Sequence, residues 1–194
     1  MAHAIPKIHY GIIETTGDTV ITDGTISAVP DTTDIVVGMF VSGTGVPAGA
    51  TVQSKTSSTV EILPVASANG STVALKFFYK IEFEYPPIET TGERLLPQER
   101  RSVSLSGVTQ VSVDHIEGVR NLNFRFLTNT LYLALKVFYD GFGAYGESFE
   151  YFDDKTTASY TTCELKNLDW VPEKITARAT TYVWGVPLQI RRVV

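Results

Sequence analysis

The segment KFFYKIEFEY at residues 76–85 sets Phe77, Tyr79, Ile81, Phe83 and Tyr85 in strict alternation with Lys76, Phe78, Lys80, Glu82 and Glu84. Successive side chains of a β-strand point to opposite faces, so alternation of this length admits a strand and rejects a helix, whose apolar positions recur every three or four residues. The segment needs partner strands on both sides, or a partner and a protected edge. The rest of the chain must supply them.

The chain supplies them in two compositional blocks. Residues 14–75 are rich in Thr, Ser, Gly, Val and Ala, and Phe40 is their only aromatic residue. Aromatics are dense from Phe77 onward, and every arginine lies at or after Arg94. In the first block TVIT (19–22), TISAV (25–29), DIVVGMFV (34–41), ATVQS (50–54), STVEIL (58–63) and STVALK (71–76) read as short strands. Turn signals separate them at Asp23-Gly24, Pro30-Asp31, the GTGVPAG loop, 55–57 and Asn69-Gly70. In that loop Gly43, Gly45 and Gly49 permit positive φ and Pro47 fixes its own, so GTGVPAGATV at 43–52 is a shaped turn between strands. The short strand KIHYG (7–11) belongs with the aromatic block. The expected organisation is therefore one domain formed by 1–13 and 76–194, with 14–75 inserted as a small Ig-like or sandwich-like β domain.

The second block continues with a hairpin over 101–113 around Ser106-Gly107. In VRNLNFRFL (119–127), Leu122, Phe124 and Phe126 fall on one face and Asn121, Asn123 and Arg125 on the other, an unusually polar outer face. A helix is expected over about 128–140, because Leu131, Leu135 and Phe138 fall at i, i+4 and i+7, Thr128 or Asn129 can cap its start and Gly141 can end it. Strands follow at 146–154, 158–165 and 177–193. In the last, Tyr182, Trp184, Val186, Leu188 and Ile190 share a face, and Gly185 and Pro187 signal a bulge or an edge. The fold class expected is mainly β: a β-barrel or sandwich with one α-helix plus an inserted small all-β domain.

The chemistry-bearing residues are sparse. The histidines are His3, His9 and His115; Asp114 precedes the last, but no G-x-S-x-G elbow accompanies it, and it reads as a turn or solvent histidine. Glu82 and Glu84 lie two apart on one strand, an arrangement open to glycosidase-type acid and base, yet beside Lys80 they read as the wet side of the strand. Asp153-Asp154-Lys155 offers carboxylates to Ca²⁺ but lacks the EF-hand spacing and reads as a turn. Cys163 stands alone, with no histidine pair at zinc spacing and no internal disulfide. Arg191 and Arg192 suit phosphate or a carboxylate partner, and more simply a solvated strand end. No catalytic, cofactor-binding or metal residue is assigned. The net charge of −5 argues against a general nucleic-acid binder. The N-terminal MAHAIPKIHYG has no long apolar run, and no apolar stretch is long enough to span a membrane, which suggests folding in a cytoplasm.

The stretch VVGMFVSGTGVPAGATV resembles the G-M-x-V-x-G-x-G-I-P-x-G-T-x-V repeat of small β domains that decorate bacteriophage virion proteins. Gly38, Met39, Val41, Gly43, Gly45, Pro47, Gly49 and Val52 match, with Val46 for Ile and Ala50 for Thr. The second block, with a strand, LYLALKVFYDGFGAYGESFEYFDD, further strands and a terminal Arg-Arg-Val strand, is similar to phage tail proteins of the tail-tube, distal-tail and baseplate-hub group. The resemblance implies a non-enzymatic virion protein, assembled in the host bacterial cytoplasm as a ring of three or six copies. It implies neighbouring tail or baseplate proteins as partners, DNA as passing cargo only, no membrane contact, no cofactor and an outward accessory domain. Glu82, Glu84, Glu147, Glu150, Asp153 and Asp154 are candidates for an acidic lumen. Two other classes remain open: a carbohydrate-binding or adhesin module for host surface glycans, for which Phe40 is the sole aromatic platform in 14–75, and a glycoside hydrolase using Glu82 or Glu84.

Overall fold

The computed structural model of the chain describes residues 4–103, 109–166, 169–178 and 181–193, with side chains described outside 89–117 and 175–183. The fold is mainly β with antiparallel pairing and one α-helix. It divides into two compact units, a small one of residues 9–80 and a large one of residues 1–8 with 81–194.

The small unit carries β1 (Lys7–Thr19), β2 (Thr25–Ile26), β3 (Phe40–Gly43), β4 (Thr51–Lys55), β5 (Val60–Leu63) and β6 (Gly70–Glu82), in the order β2-β5-β4-β3-β6-β1. Its core is aliphatic, with Ile26, Ile35, Met39, Val52, Val60 and Ile62 packed with Leu75, and one aromatic ring, Phe77, completes it. β6 joins STVALK to most of the alternating segment in one strand, ending at Glu82. The expected strand at 34–41 begins only at Phe40. Before it, Asp31 Oδ1 accepts from Thr33 N at 2.8 Å, Met39 N donates to Val36 O at 3.1 Å, and Gly38 adopts φ 92. Consecutive turns leave Val36 and Val37 exposed, so their β propensity is overridden by the turn residues around them. The expected strand at 19–22 is likewise the end of β1 and a turn, with Thr22 at φ 66.

The GTGVPAG loop connects β3 to β4 and is held from within. Gly45 and Gly49 have φ 79 and 81, whereas Gly43 is demanded by space: a Cβ there would lie 2.7 Å from Ala74 O. Gly45 O accepts from Ser67 N at 2.8 Å, and Ala50 N closes onto Pro47 O at 3.2 Å.

The large unit carries β7 (Ile88–Val103), β8 (Thr109–Leu127), α1 (Asn129–Gly141), β9 (Phe149–Phe152), β10 (Thr161–Leu165), β11 (Glu173–Arg178) and β12 (Thr181–Arg192). The order is β9-β10-β12-β8-β7, and β11 pairs with the start of β12. The turn expected at Ser106-Gly107 lies outside the described residues. β8 fuses two expected strands, and β11 was not expected at all. Thr128 caps α1 by accepting from Leu131 N at 3.3 Å. Leu135 and Phe138 of α1 are fully buried, and Phe138 meets Phe149 edge to face at 5.1 Å. Phe83 stacks on Phe124 at 3.9 Å, and Val186, Leu188 and Ile190 are buried as the β12 alternation requires. Trp184 is half-buried, and the side chain of Tyr182 lies outside the described residues. The register slips opposite Gly185, between Trp184 and Val186, but the extra residue lies in β8, where Arg125 and Phe126 oppose Gly185, so the bulge expected within the terminal strand falls on its partner.

Phe77→Ala and Leu135→Ala each remove a fully buried side chain and are expected to destabilise by about 3–5 and 2–5 kcal/mol, read by urea unfolding; losses under about 1 kcal/mol would contradict the packing. Buried Tyr10 stacks on Tyr79 at 5.3 Å, and burial, aided by Tyr79, pushes its hydroxyl up to about 12 from 10.0. The folded state keeps a proton that the unfolded chain releases, so this contribution is complete below pH 10 and is lost as pH rises towards 12. Tyr10→Phe is expected to shrink that alkaline loss in melting experiments.

Candidate functional site

The histidines do not assemble a catalytic group among the described residues. His9 is buried and stacks on Phe78 at 4.1 Å with 22° between planes, the environment of a core ring. His115 sits opposite Gln98 on β8 with its side chain outside the described residues, and His3 is also outside them. Glu82 and Glu84 are both exposed and line none of the clefts described below.

The Asp153-Asp154-Lys155 turn is occupied by its own neighbours. Asp154 Oδ1 accepts from Thr156 N at 2.9 Å and Thr156 Oγ1 at 2.8 Å, and the backbone bond first, then the hydroxyl, holds its carboxyl below the ordinary 3.8. Asp153 pairs with Arg120 at 2.6 Å. Lys155 N donates to Ile5 O at 2.7 Å, and Lys155 O accepts from Lys7 Nζ at 2.9 Å. Among the described residues no three His, Cys, Asp or Glu side chains converge as a metal site would need.

Of the acidic residues proposed for a lumen, Glu150 is 5% exposed and is therefore no surface group, because β9 is buried along its whole length. Glu147 and Asp153 are exposed. Arg191 reaches Glu164 Oε2 through Nε at 2.9 Å and Nη2 at 2.5 Å, a pair that follows from the register Glu164↔Arg191. Phe40 is covered by Lys80 Nζ, 4.2 Å from the ring centroid, so its face is no open sugar platform.

Concave surfaces remain among the described residues. One of about 560 Å³ is lined by Ala4, Pro86, Pro87, Ile88, Tyr151 and the Arg120 and Asp153 pair. A smaller one of about 100 Å³ adjoins it, with Arg192 and the buried thiol of Cys163. An open depression of about 540 Å³ in the small unit exposes Thr15, Thr16 and Ser42 near the 3.8 Å Glu14 to Lys76 pair. A groove of about 460 Å³ on the large unit is lined by Asn121, Asn123, Asp169, Val171, Pro187 and Gln189. Sequence alone marked Asn121 and Asn123 through the polar face of 119–127; Gln189 joins them through the β8 to β12 pairing and Asp169 from the segment between β10 and β11, which no local pattern reveals. Among the described residues that line them, no nucleophile stands beside an oriented base. No family model, curated protein or solved structure matches the chain.

Asp23 and Asp31 repeat the Asp154 geometry with Thr25 and Thr33, and both carboxyls are lowered by the same kind of hydrogen bonds. With folded values depressed, their contribution is complete above 3.8 and is lost as pH falls through the folded values. Carboxyl-detected NMR titration is expected to place all three below 3.8, and a midpoint at or above it would refute the turn geometry.

Proposed function

We propose that the protein is a non-enzymatic structural component of a bacteriophage virion, which assembles as a homo-oligomeric ring in the tail or baseplate and carries residues 9–80 as an accessory domain. The observation that supports this is the β7 and β8 ribbon. Among the described residues β12 pairs with β8 at 119–127, whereas the β7 to β8 register continues from Leu95↔Gly118 to Val103↔Thr109. At roughly 3.3 Å per residue, 95–103 extends about 30 Å as two strands alone. A two-stranded ribbon is marginal in water by itself, and β7 is the terminal strand of its order, with an edge open to pairing. A neighbouring copy that covers this ribbon removes both liabilities, and repetition of one such head-to-tail contact closes a ring.

The resemblance of 38–52 to virion-decorating repeats and of the large unit to the tail-tube, distal-tail and hub group points the same way. DNA then passes as cargo, because a net charge of −5 disfavours adhesion to phosphate. Tail or baseplate neighbours stack on the ring.

Light scattering of the purified chain is expected to give three or six times 21.3 kDa, with ring-shaped particles in negative stain. Replacement of 96–117 by an Asn-Gly turn is expected to yield a monomer that still melts cooperatively. A wild-type chain that stays monomeric at high concentration and is absent from particles would overturn the reading.

A further inference from the structure

Three adjacent strands of the large unit turn from apolar to polar along one face of their sheet. In β8 the buried Phe124 and Leu122 lead to Arg120, in β12 Leu188 and Ile190 lead to Arg192, and in β10 Leu165 and Cys163 lead to Thr161. The pairs Ile190↔Arg120, Leu165↔Ile190 and Cys163↔Arg192 put these residues on a common face, because directly opposite residues share it. Gly118, one step past the Arg191↔Val119 pair, adds no side chain there, and the cleft of about 100 Å³ opens at this level. The adjoining cleft of about 560 Å³ shares Arg120 and Asp153 with it and is walled by Pro86, Pro87 and the exposed Ile88. Arg120 is engaged: its Nη1 donates to Asp153 Oδ1 at 2.6 Å, and its guanidinium lies 5.4 Å from the Tyr151 ring centroid. Arg192 and Thr161 make no side-chain hydrogen bond or ion pair among the described residues.

We propose that these two adjoining clefts form a binding site for an organic monocarboxylate with an apolar body. Asp153 neutralises Arg120, so among the described lining residues Arg192 carries the uncompensated charge. One guanidinium matches one carboxylate, which it holds through two parallel N–H donors, whereas a phosphate dianion would leave excess negative charge beside Asp153. The Thr161 hydroxyl adds a third donor in the same cleft. An exposed ion pair contributes little in water by itself. Affinity therefore comes from covering Pro86, Pro87 and Ile88 with the ligand's body, in a cleft whose volume is in the range of small-ligand sites, and preference for an acid comes from Arg192. Every lining residue belongs to the large unit of one chain, so the site does not depend on ring assembly.

The test is saturation-transfer NMR of the full chain with 3-phenylpropionate, octanoate and N-acetyl-dileucine, and with 3-phenylpropanol as the uncharged control. Transfer to at least one acid is expected, with a dissociation constant on the order of 1 mM, and the alcohol is expected to bind about tenfold more weakly than 3-phenylpropionate. Arg192→Gln is expected to bring the acid down to the affinity of the alcohol while leaving the alcohol and the melting temperature unchanged, because Arg192 is exposed. Ile88→Ser is expected to weaken acid and alcohol alike. Binding of 3-phenylpropionate or octanoate supports a free organic acid as the ligand, and binding of N-acetyl-dileucine alone supports the same carboxylate carried at a peptide end. Absence of transfer to all three acids overturns the proposal, as does equal affinity for acid and alcohol or acid binding unchanged in Arg192→Gln. Light scattering of the same samples reports on the ring separately, so either reading can fail without the other.

Discussion

β8 is the strand on which the large unit depends. Its 19 residues pair with β7 along one side and, at 119–127, with β12 along the other. This shared register buries Leu122 and Phe124 beside Val186 and Leu188, and it turns Asn121, Asn123, Pro187 and Gln189 to the opposite face. A slip by one residue would exchange the two faces, burying carboxamides and exposing the core. The Phe83 to Phe124 stack and the packing of Leu135 and Phe138 hold the chosen register by making one face apolar without interruption. Core and groove are thus two consequences of one pairing.

What was legible in the sequence follows from how locally each signal is written. Alternation at 76–85, the i, i+4, i+7 spacing of Leu131, Leu135 and Phe138 and the capping Thr128 are complete within a few residues, and the mainly β class with one helix follows from them. The irregularity opposite Gly185 was legible, but not that its extra residue belongs to β8. Residues 34–39 misled because Ile35, Val36 and Val37 favour strands, while the outcome was decided by Asp31 and by Gly38 at φ 92. β11 escaped notice because its register slips between Lys174 and Thr176, which breaks period two. The length of β8 was hidden by reading its start at 109–113 as the second arm of a hairpin, separate from the strand at 119–127.

The groove was half legible. Asn121 and Asn123 announce a polar strand face, but Gln189 lies far along the chain and becomes their neighbour only through β12. The same holds for Arg191 with Glu164 and Arg120 with Asp153, pairs made by strand register or by turns closing on strands. Phe126 misled more deeply. Alternation assigns it to the core with Leu122 and Phe124, yet the bulge inserts one extra residue and sends its ring to the solvent.

The polar side chains mostly shape turns and pair with one another across strands. Asp23, Asp31 and Asp154 shape turns, Asp153 and Glu164 pair with arginines, and Glu61 accepts from Thr25 Oγ1 at 2.8 Å. Exposed pairs of this kind contribute on the order of 0–1 kcal/mol each, so the fold rests on its two apolar interiors and its strand pairing. A catalytic carboxylate needs the reverse: burial or a like-charged neighbour that shifts it upward into the working pH range. Asp23, Asp31 and Asp154 are instead held below the ordinary carboxylate value by local hydrogen bonds in their turns.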